Sequence, residues 1–219
     1  MGGALGKPLS LVKTLLWKVL FSWWVKPIET PNDVTGLTPT QVRLLQQTWK
    51  VILLHKKQNG FLIFKILFTD YPMTKKLFKG IDKVDPEQYE KTTSMRAHVT
   101  RFINSFDSFM ECLEDPEALK SLLYDTGKAH LRHNTKPEHF DDLEVVMMKS
   151  LKAVLGLKFT ESVEEAWRTA FAFFVVHLKM GVEDGLRGRE KKNTSVVETV
   201  EERAICNAVS LITLYGKRR

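Results

Sequence analysis

Residues 98–109 read HVTRFINSFDSF, and their apolar positions repeat at the spacing of an α-helix. His98, Phe102, Phe106 and Phe109 fall at i, i+4, i+8 and i+11, so they share one face. A histidine on the apolar face of a helix is shielded from water. It is therefore either a hydrogen-bonded core residue or a ligand for a bound group.

The segments on either side also have helical patterns. Thr38-Pro39-x-Gln41 predicts a helix start with an N-cap, a proline in the first turn and a capping box. A second helix should end at Tyr71-Pro72, and Asp115-Pro116 should begin a short helix that ends at His130. The last long helix is expected to end near residues 181–185, where two glycines stand. No segment shows the alternation of a half-buried strand, so the sequence predicts an all-α fold.

Composition limits the classes of function. The chain has 219 residues, of which 43% are hydrophobic, and a net charge of +7. This is enough apolar material for one core, and the positive residues are too scattered for a nucleic-acid partner. Two distant cysteines indicate neither a disulfide framework nor a CxxC site, and they favour the cytoplasm. No apolar run reaches the roughly 20 residues that span a bilayer.

Composition also divides the chain into three expected segments. Residues 1–36 form an N-terminal extension with an apolar, tryptophan-rich stretch at 9–25 and a turn-prone linker. Residues 37–185 form the helical domain. Residues 186–219 form a C-terminal extension, charged at first and then weakly helical in pattern.

The ordered motifs of residues 37–185 resemble those of the globins. Leu37-Thr38 followed by Trp49 is similar to the globin first helix, and Tyr71-Pro72 followed by Phe78 is similar to the region of the family's haem-packing phenylalanine. Gly127-Lys128-Ala129-His130 is similar to the proximal-histidine segment, and Trp167 matches a final-helix tryptophan. The resemblance covers about two-thirds of the chain and is strongest to six-coordinate neural and nematode globins with long termini. It implies a globin fold of about eight helices around haem b.

The resemblance makes His130 the proximal iron ligand. His133 is the rival, but counting back from Lys136-Pro137 reaches His130. Thr126 departs from the leucine that commonly packs under the haem in this family. A capping or surface histidine is the alternative interpretation of His130.

The resemblance makes His98 the distal residue, which either donates to bound oxygen or ligates the iron. Phe78 would then stack on the porphyrin, Phe64 lie above the iron and Phe102 narrow the distal side. Crowding by Phe64 and Phe102 favours ligation by His98. Arg101 would pair with a haem propionate, or else be a solvated surface residue.

These residues predict a haem protein with bis-histidyl iron that acts in one-electron redox chemistry or gas sensing. Its expected partners are the diatomic ligands O2, NO and CO and an electron-transfer protein. Any enzymatic activity is expected to be superoxide or nitric-oxide chemistry, not hydrolysis or group transfer. The alternatives are a reversible oxygen carrier with five-coordinate haem and a haem-free globin-fold interaction module.

The N-terminal residues predict attachment of the protein to a membrane. Met1-Gly2-Gly3-Ala4-Leu5-Gly6 resembles an N-myristoylation signal on Gly2, with Gly6 in place of the usual Ser or Thr. Because one acyl chain binds membranes weakly, the tryptophans and lysines of residues 9–25 would supply the second contact, at the cytoplasmic face of a membrane. The alternatives are a signal peptide, an interfacial helix without lipid, and an extra helix packed on the body.

Overall fold

The computed structural model describes residues 29–81 and 83–216, with side chains up to residue 191. Every regular element in these ranges is helical, which confirms the all-α prediction. The α-helices are α1 Pro39–Leu54, α2 Lys56–Asp70, α3 Thr93–Glu111, α4 Pro116–His130, α5 His139–Leu155 and α6 Glu161–Gly216. Short 3₁₀ segments are found at Pro72–Leu77, Pro86–Lys91, Leu131–His133 and Gly156–Lys158.

The predicted helix starts are confirmed in atomic detail. The Thr38 hydroxyl accepts a hydrogen bond from the Gln41 backbone N–H at 3.2 Å, and the Gln41 side chain accepts one from the Thr38 N–H at 2.9 Å. The Asp115 carboxylate accepts from the Ala118 N–H at 3.1 Å. These side chains satisfy N–H groups that a helix start leaves without partners.

The expected end of the last helix near residues 181–185 is wrong. α6 continues for 56 residues, from Glu161 to Gly216, so the helix runs on into the C-terminal extension. The described glycines with positive φ are Gly36, Gly80 and Gly156, so Gly181 does not end a helix. A Cβ at position 181 would lie 2.9 Å from the Lys128 backbone nitrogen and would overlap the Tyr124 carbonyl oxygen. This glycine marks a close helix crossing.

The crossing joins α4 to α6 backbone against backbone. On the α4 side, a Cβ at Gly127 would lie 2.8 Å from the Leu178 carbonyl carbon and would overlap its oxygen. Beside the crossing, the Tyr124 hydroxyl donates to the Asp184 carboxylate at 3.1 Å. The end of α4, with His130, is therefore fixed relative to α6.

Two apolar clusters fill the interior. The larger one joins all six α-helices and includes the buried indoles of Trp49 and Trp167. The smaller one lies between α2, α3 and the 3₁₀ segments that join them, and the partly buried Phe102 packs against both clusters. The buried members of the smaller cluster are Phe61, Phe64, Phe68, Ile81, Tyr89, Met95 and Val99.

Within the described ranges, no helix has both the length and the apolar character to cross a bilayer. The expected N-terminal amphipathic helix and Gly2 fall in residues 1–28, outside the described residues.

Candidate functional site

His98 lies on α3, at the edge of the smaller cluster, among aromatic rings. Its imidazole makes edge-to-face contacts with Phe64 and Phe78, at centroid distances of 5.1 and 5.0 Å. Phe64 in turn contacts Phe102 at 5.2 Å and Phe78 at 5.7 Å. The structure therefore brings four of the residues singled out in the sequence into one contact network.

The surroundings of His98 favour its neutral form. Burial, and after it the positive charges of His130, Arg101 and His133 in that order, lower the pKa of His98 to about 4. A positive charge on His130 would therefore oppose protonation of His98. At neutral pH, His98 keeps a ring nitrogen lone pair that is available to a metal ion.

His130 is the last residue of α4, and a backbone carbonyl orients its ring. Nδ1 lies 2.7 Å from the Thr126 carbonyl oxygen, so Nδ1–H donates and Nε2 is left with the lone pair. Burial lowers the pKa of His130, although the bond to Thr126 acts in the opposite direction. The buried Phe140 ring of α5 meets the imidazole edge-on at 5.6 Å.

This geometry explains why threonine is compatible with position 126. The group that orients His130 is the main-chain carbonyl of residue 126, which any amino acid supplies. The rival ligand His133 is exposed, in the 3₁₀ turn that follows α4. Of these two histidines, His130 is the one that is partly shielded from water.

Arg101 lies outside the ring contacts of this network, as His130 does. Its side chain is exposed, and it forms no ion pair with a carboxylate of the described residues. Its positive charge contributes to the lowered pKa of His98.

Sequence reasoning missed four buried members of the smaller cluster, Ile81, Tyr89, Met95 and Val99. The Tyr89 ring lies 5.3 Å from that of Phe68. The Tyr89 hydroxyl is buried and has no hydrogen-bond partner among the described residues. Ile81 and Tyr89 belong to the irregular segment between α2 and α3, where no periodicity distinguishes an inward residue from an outward one.

The two imidazoles define what the site can hold. No group of three or more His, Cys, Asp or Glu side chains in the described ranges is placed to bind a bare metal ion. The two imidazoles, one on α3 and one at the end of α4, could instead hold a metal that a bound organic group brings with it.

Comparisons with known proteins agree with this architecture. The globin family model matches residues 62–178. Cytoglobin-2 of Danio rerio is 30% identical over 144 residues, covering 65% of this chain and 80% of its own length. Cytoglobin-2 of Oryzias latipes is 28% identical over 152 residues, covering 68% of this chain and 85% of its own.

Solved structures with the same fold include a hexacoordinated haem protein from an anhydrobiotic tardigrade, with a TM-score of 0.66 and 19% identity, covering 69% of this chain and 99% of its own. A globin of Drosophila melanogaster has a TM-score of 0.60 and 22% identity, covering 65% of this chain and 93% of its own. At these identities the structural likeness establishes the fold, and the family model establishes the family. With helices packed in the globin arrangement and the family's sequence pattern across more than half of its length, the chain belongs to the globin family.

Proposed function

We propose that this globin binds haem b between His130 and His98, and that it acts in one-electron redox chemistry or in sensing diatomic gases. The observation that carries the proposal is the pair of partly buried imidazoles, His98 on α3 and His130 at the end of α4. Both have a pKa that is lowered mainly by burial, and a charge on His130 lowers that of His98 further towards the neutral form.

The donor chemistry fits haem. Iron in haem takes neutral imidazole as an axial ligand, and the second ring nitrogen of that imidazole usually donates a hydrogen bond. His130 meets both conditions, since Nδ1 faces the Thr126 carbonyl and Nε2 is free to bind. When bound, haem would supply a redox-active iron that also takes O2, NO or CO.

The chain's own residues favour six-coordinate iron. Phe64 and Phe102 contact each other at 5.2 Å, and Phe64 contacts the His98 ring at 5.1 Å. Two phenylalanine rings beside His98 restrict the space for a diatomic molecule and leave the histidine as the nearest donor. Ligation on both sides keeps similar iron geometry in both oxidation states, which favours electron transfer over oxygen storage. External gases would then compete with His98.

The comparisons add support from the fold. The tardigrade protein of similar fold is a hexacoordinated haem protein, and a cyanide-bound Drosophila melanogaster globin of similar fold is also hexacoordinate. At 19% and 21% identity these proteins serve as analogies for iron coordination, and the argument for this chain rests on His98 and His130.

The absorption spectrum tests the proposal directly. We expect the ferrous, ligand-free protein to show a Soret band and two sharp, split visible bands. His98→Leu should convert these to one broad band, because it removes the sixth ligand. A single broad band in the wild type would make the protein a five-coordinate oxygen carrier, and no Soret band would make it a haem-free interaction module.

A second pair of variants tests the proximal side. His130→Gly should lose haem, and added imidazole should restore the Soret band by binding in the space left by the side chain. His177→Gly is the matched control, since its Nδ1 also faces the carbonyl four residues earlier, that of Phe173, at 2.9 Å, outside the site. Equal haem loss in both variants would contradict the assignment of His130.

We also propose that residues 1–28 attach the protein to the cytoplasmic face of a membrane through an acyl chain on Gly2 and the apolar stretch 9–25. The basis is the sequence pattern alone. In cell fractionation, Gly2→Ala should move the protein from the membrane to the cytosol. An unchanged distribution would exclude acylation as the anchor.

A further inference from the structure

Trp49 is a buried indole held by a carboxylate. Its side chain is 2% exposed, and Nε1–H donates to Asp107 Oδ1 of α3 at 3.0 Å. Among the residues whose side chains are described, no Lys, Arg or His forms an ion pair with Asp107. The negative charge of Asp107 therefore acts on the indole without a competing cation, and a hydrogen bond to an ionised acceptor is a strong one.

Trp167 provides an internal contrast. Its indole is equally buried and lies 6.4 Å from that of Trp49, but its Nε1–H donates to the neutral hydroxyl of Thr48 at 3.0 Å. An indole that loses an electron becomes a cation, and its N–H becomes acidic. Asp107 stabilises that cation and can take the proton, whereas a neutral hydroxyl does neither well.

A row of rings joins Trp49 to the site. Phe102 and Phe106 follow His98 on the same face of α3, one turn apart, and their rings are 4.7 Å apart. Phe106 lies 5.6 Å from Trp49, and Phe102 touches Phe64, which touches His98. Closely packed rings carry electronic coupling better than the same distance through space. The indole is thus two ring contacts from the wall of the site.

A second row of ring contacts joins His98 to Tyr89. Tyr89 reaches His98 through Phe68 and Phe78, with ring contacts of 5.0 to 5.3 Å. A phenol must release its proton when it is oxidised, and the Tyr89 hydroxyl has no acceptor among the described residues. Of these two pathways, only the one to Trp49 ends at a side chain with a proton acceptor.

We propose that Trp49 is a one-electron donor to the oxidised haem centre, with Asp107 as the proton acceptor. The inference rests on the proposed haem binding. Hydrogen peroxide would oxidise a bound ferric haem by two electrons. Trp49 would return one of them, its N–H proton would pass to Asp107, and an indolyl radical would remain on the chain. A two-electron reductant such as ascorbate would then supply one electron to the indolyl radical, which takes its proton back from Asp107, and one to the haem, and would also release two protons. The net change is one hydrogen peroxide and one ascorbic acid to two water molecules and dehydroascorbic acid.

Electron paramagnetic resonance tests the assignment. The ferric, haem-loaded full chain is mixed with one equivalent of hydrogen peroxide and frozen. We expect an organic radical whose spectrum changes on labelling with ring-deuterated tryptophan and which is lost in Trp49→Phe. Trp167→Phe and Tyr89→Phe are the matched controls and should keep it.

Asp107→Asn keeps the shape of the acceptor and removes its charge. We expect it to lower the radical yield about tenfold, which corresponds to roughly 1.4 kcal/mol in the free energy of oxidation. This variant also keeps the proposal testable if Trp49→Phe does not fold. An undiminished radical in Trp49→Phe or Asp107→Asn, or a radical with the hyperfine pattern of tyrosine, would overturn the assignment. A Soret band without any radical would overturn this inference alone, whereas a missing Soret band would overturn the proposed function with it.

Discussion

The α4–α6 crossing gives the sharpest prediction, through the substitution Gly127→Ala. A Cβ at this position would overlap the carbonyl oxygen of Leu178 and lie 2.8 and 3.0 Å from its carbonyl carbon and Cα, whereas ordinary contacts begin at 3.4 Å. The obstacle is main chain, so no side-chain rotation relieves it and the two helices must separate.

The magnitude follows from two opposing effects. Overpacking of this kind costs about 1–3 kcal/mol, and the higher helix propensity of alanine returns about 1 kcal/mol. Because this contact is with rigid backbone, we expect the upper part of the range and a net loss of about 2 kcal/mol. For a chain of this length, that lowers the melting temperature by roughly 4–8 °C.

Gly188→Ala is the matched control on α6, since nothing lies within 4 Å of a Cβ there. It should raise stability by up to about 1 kcal/mol. The assay is thermal and urea unfolding of the haem-free chain, followed by circular dichroism at 222 nm. In the haem-loaded protein, Gly127→Ala should also weaken haem retention, because it moves the turn of α4 that ends at His130. A Gly127→Ala protein as stable as Gly188→Ala would refute the close crossing.

Three further outcomes are expected. Tyr89→Phe should raise the free energy of unfolding of the haem-free chain by about 1 kcal/mol, because it removes a buried hydroxyl without a partner; a loss of stability would show that the hydroxyl has one. Asp115→Ala should cost about 1 kcal/mol in urea unfolding through loss of the α4 N-cap, whereas an unchanged midpoint would show that the cap is dispensable. Burial lowers the pKa of His98 from 6.5 to about 4, so the haem-free fold keeps its full stability above pH 6.5 and loses up to about 3 kcal/mol as the pH falls towards 4. Urea midpoints between pH 7 and pH 4.5 should therefore fall less steeply in His98→Leu, and equal slopes would contradict the burial of His98.

The sequence predicts those parts of the fold that depend on local chemistry. The cap at Thr38, the stop before Pro72 and the end of α4 at His130 depend on hydrogen bonds and sterics within a few residues, and each is found as predicted. The stripe of residues 98–109 likewise places His98 and Phe102 on one face of α3.

Features that depend on distant partners were not predictable. Gly181 suggests a helix end when only its neighbours are considered, and the backbone of α4 that explains it lies more than 50 residues earlier. The carboxylate partner of Trp49 is on another helix, at Asp107, and no spacing rule connects the two. Tyr89 points inward from an irregular segment, so its burial depends on how α2 and α3 meet.

The continuity of α6 has a mechanical consequence. The helix passes the α4 crossing at Gly181 and runs to Gly216, a length of about 50 Å at 1.5 Å per residue. If α6 pivoted at this crossing, its end at Gly216 would move furthest, and the part beside the helix that ends at His130 would move least. A rotation of about 5° at the crossing would move the far end by about 4 Å over that length. A small adjustment of α4 beside the site would thus be geometrically amplified at the C-terminal end of the chain.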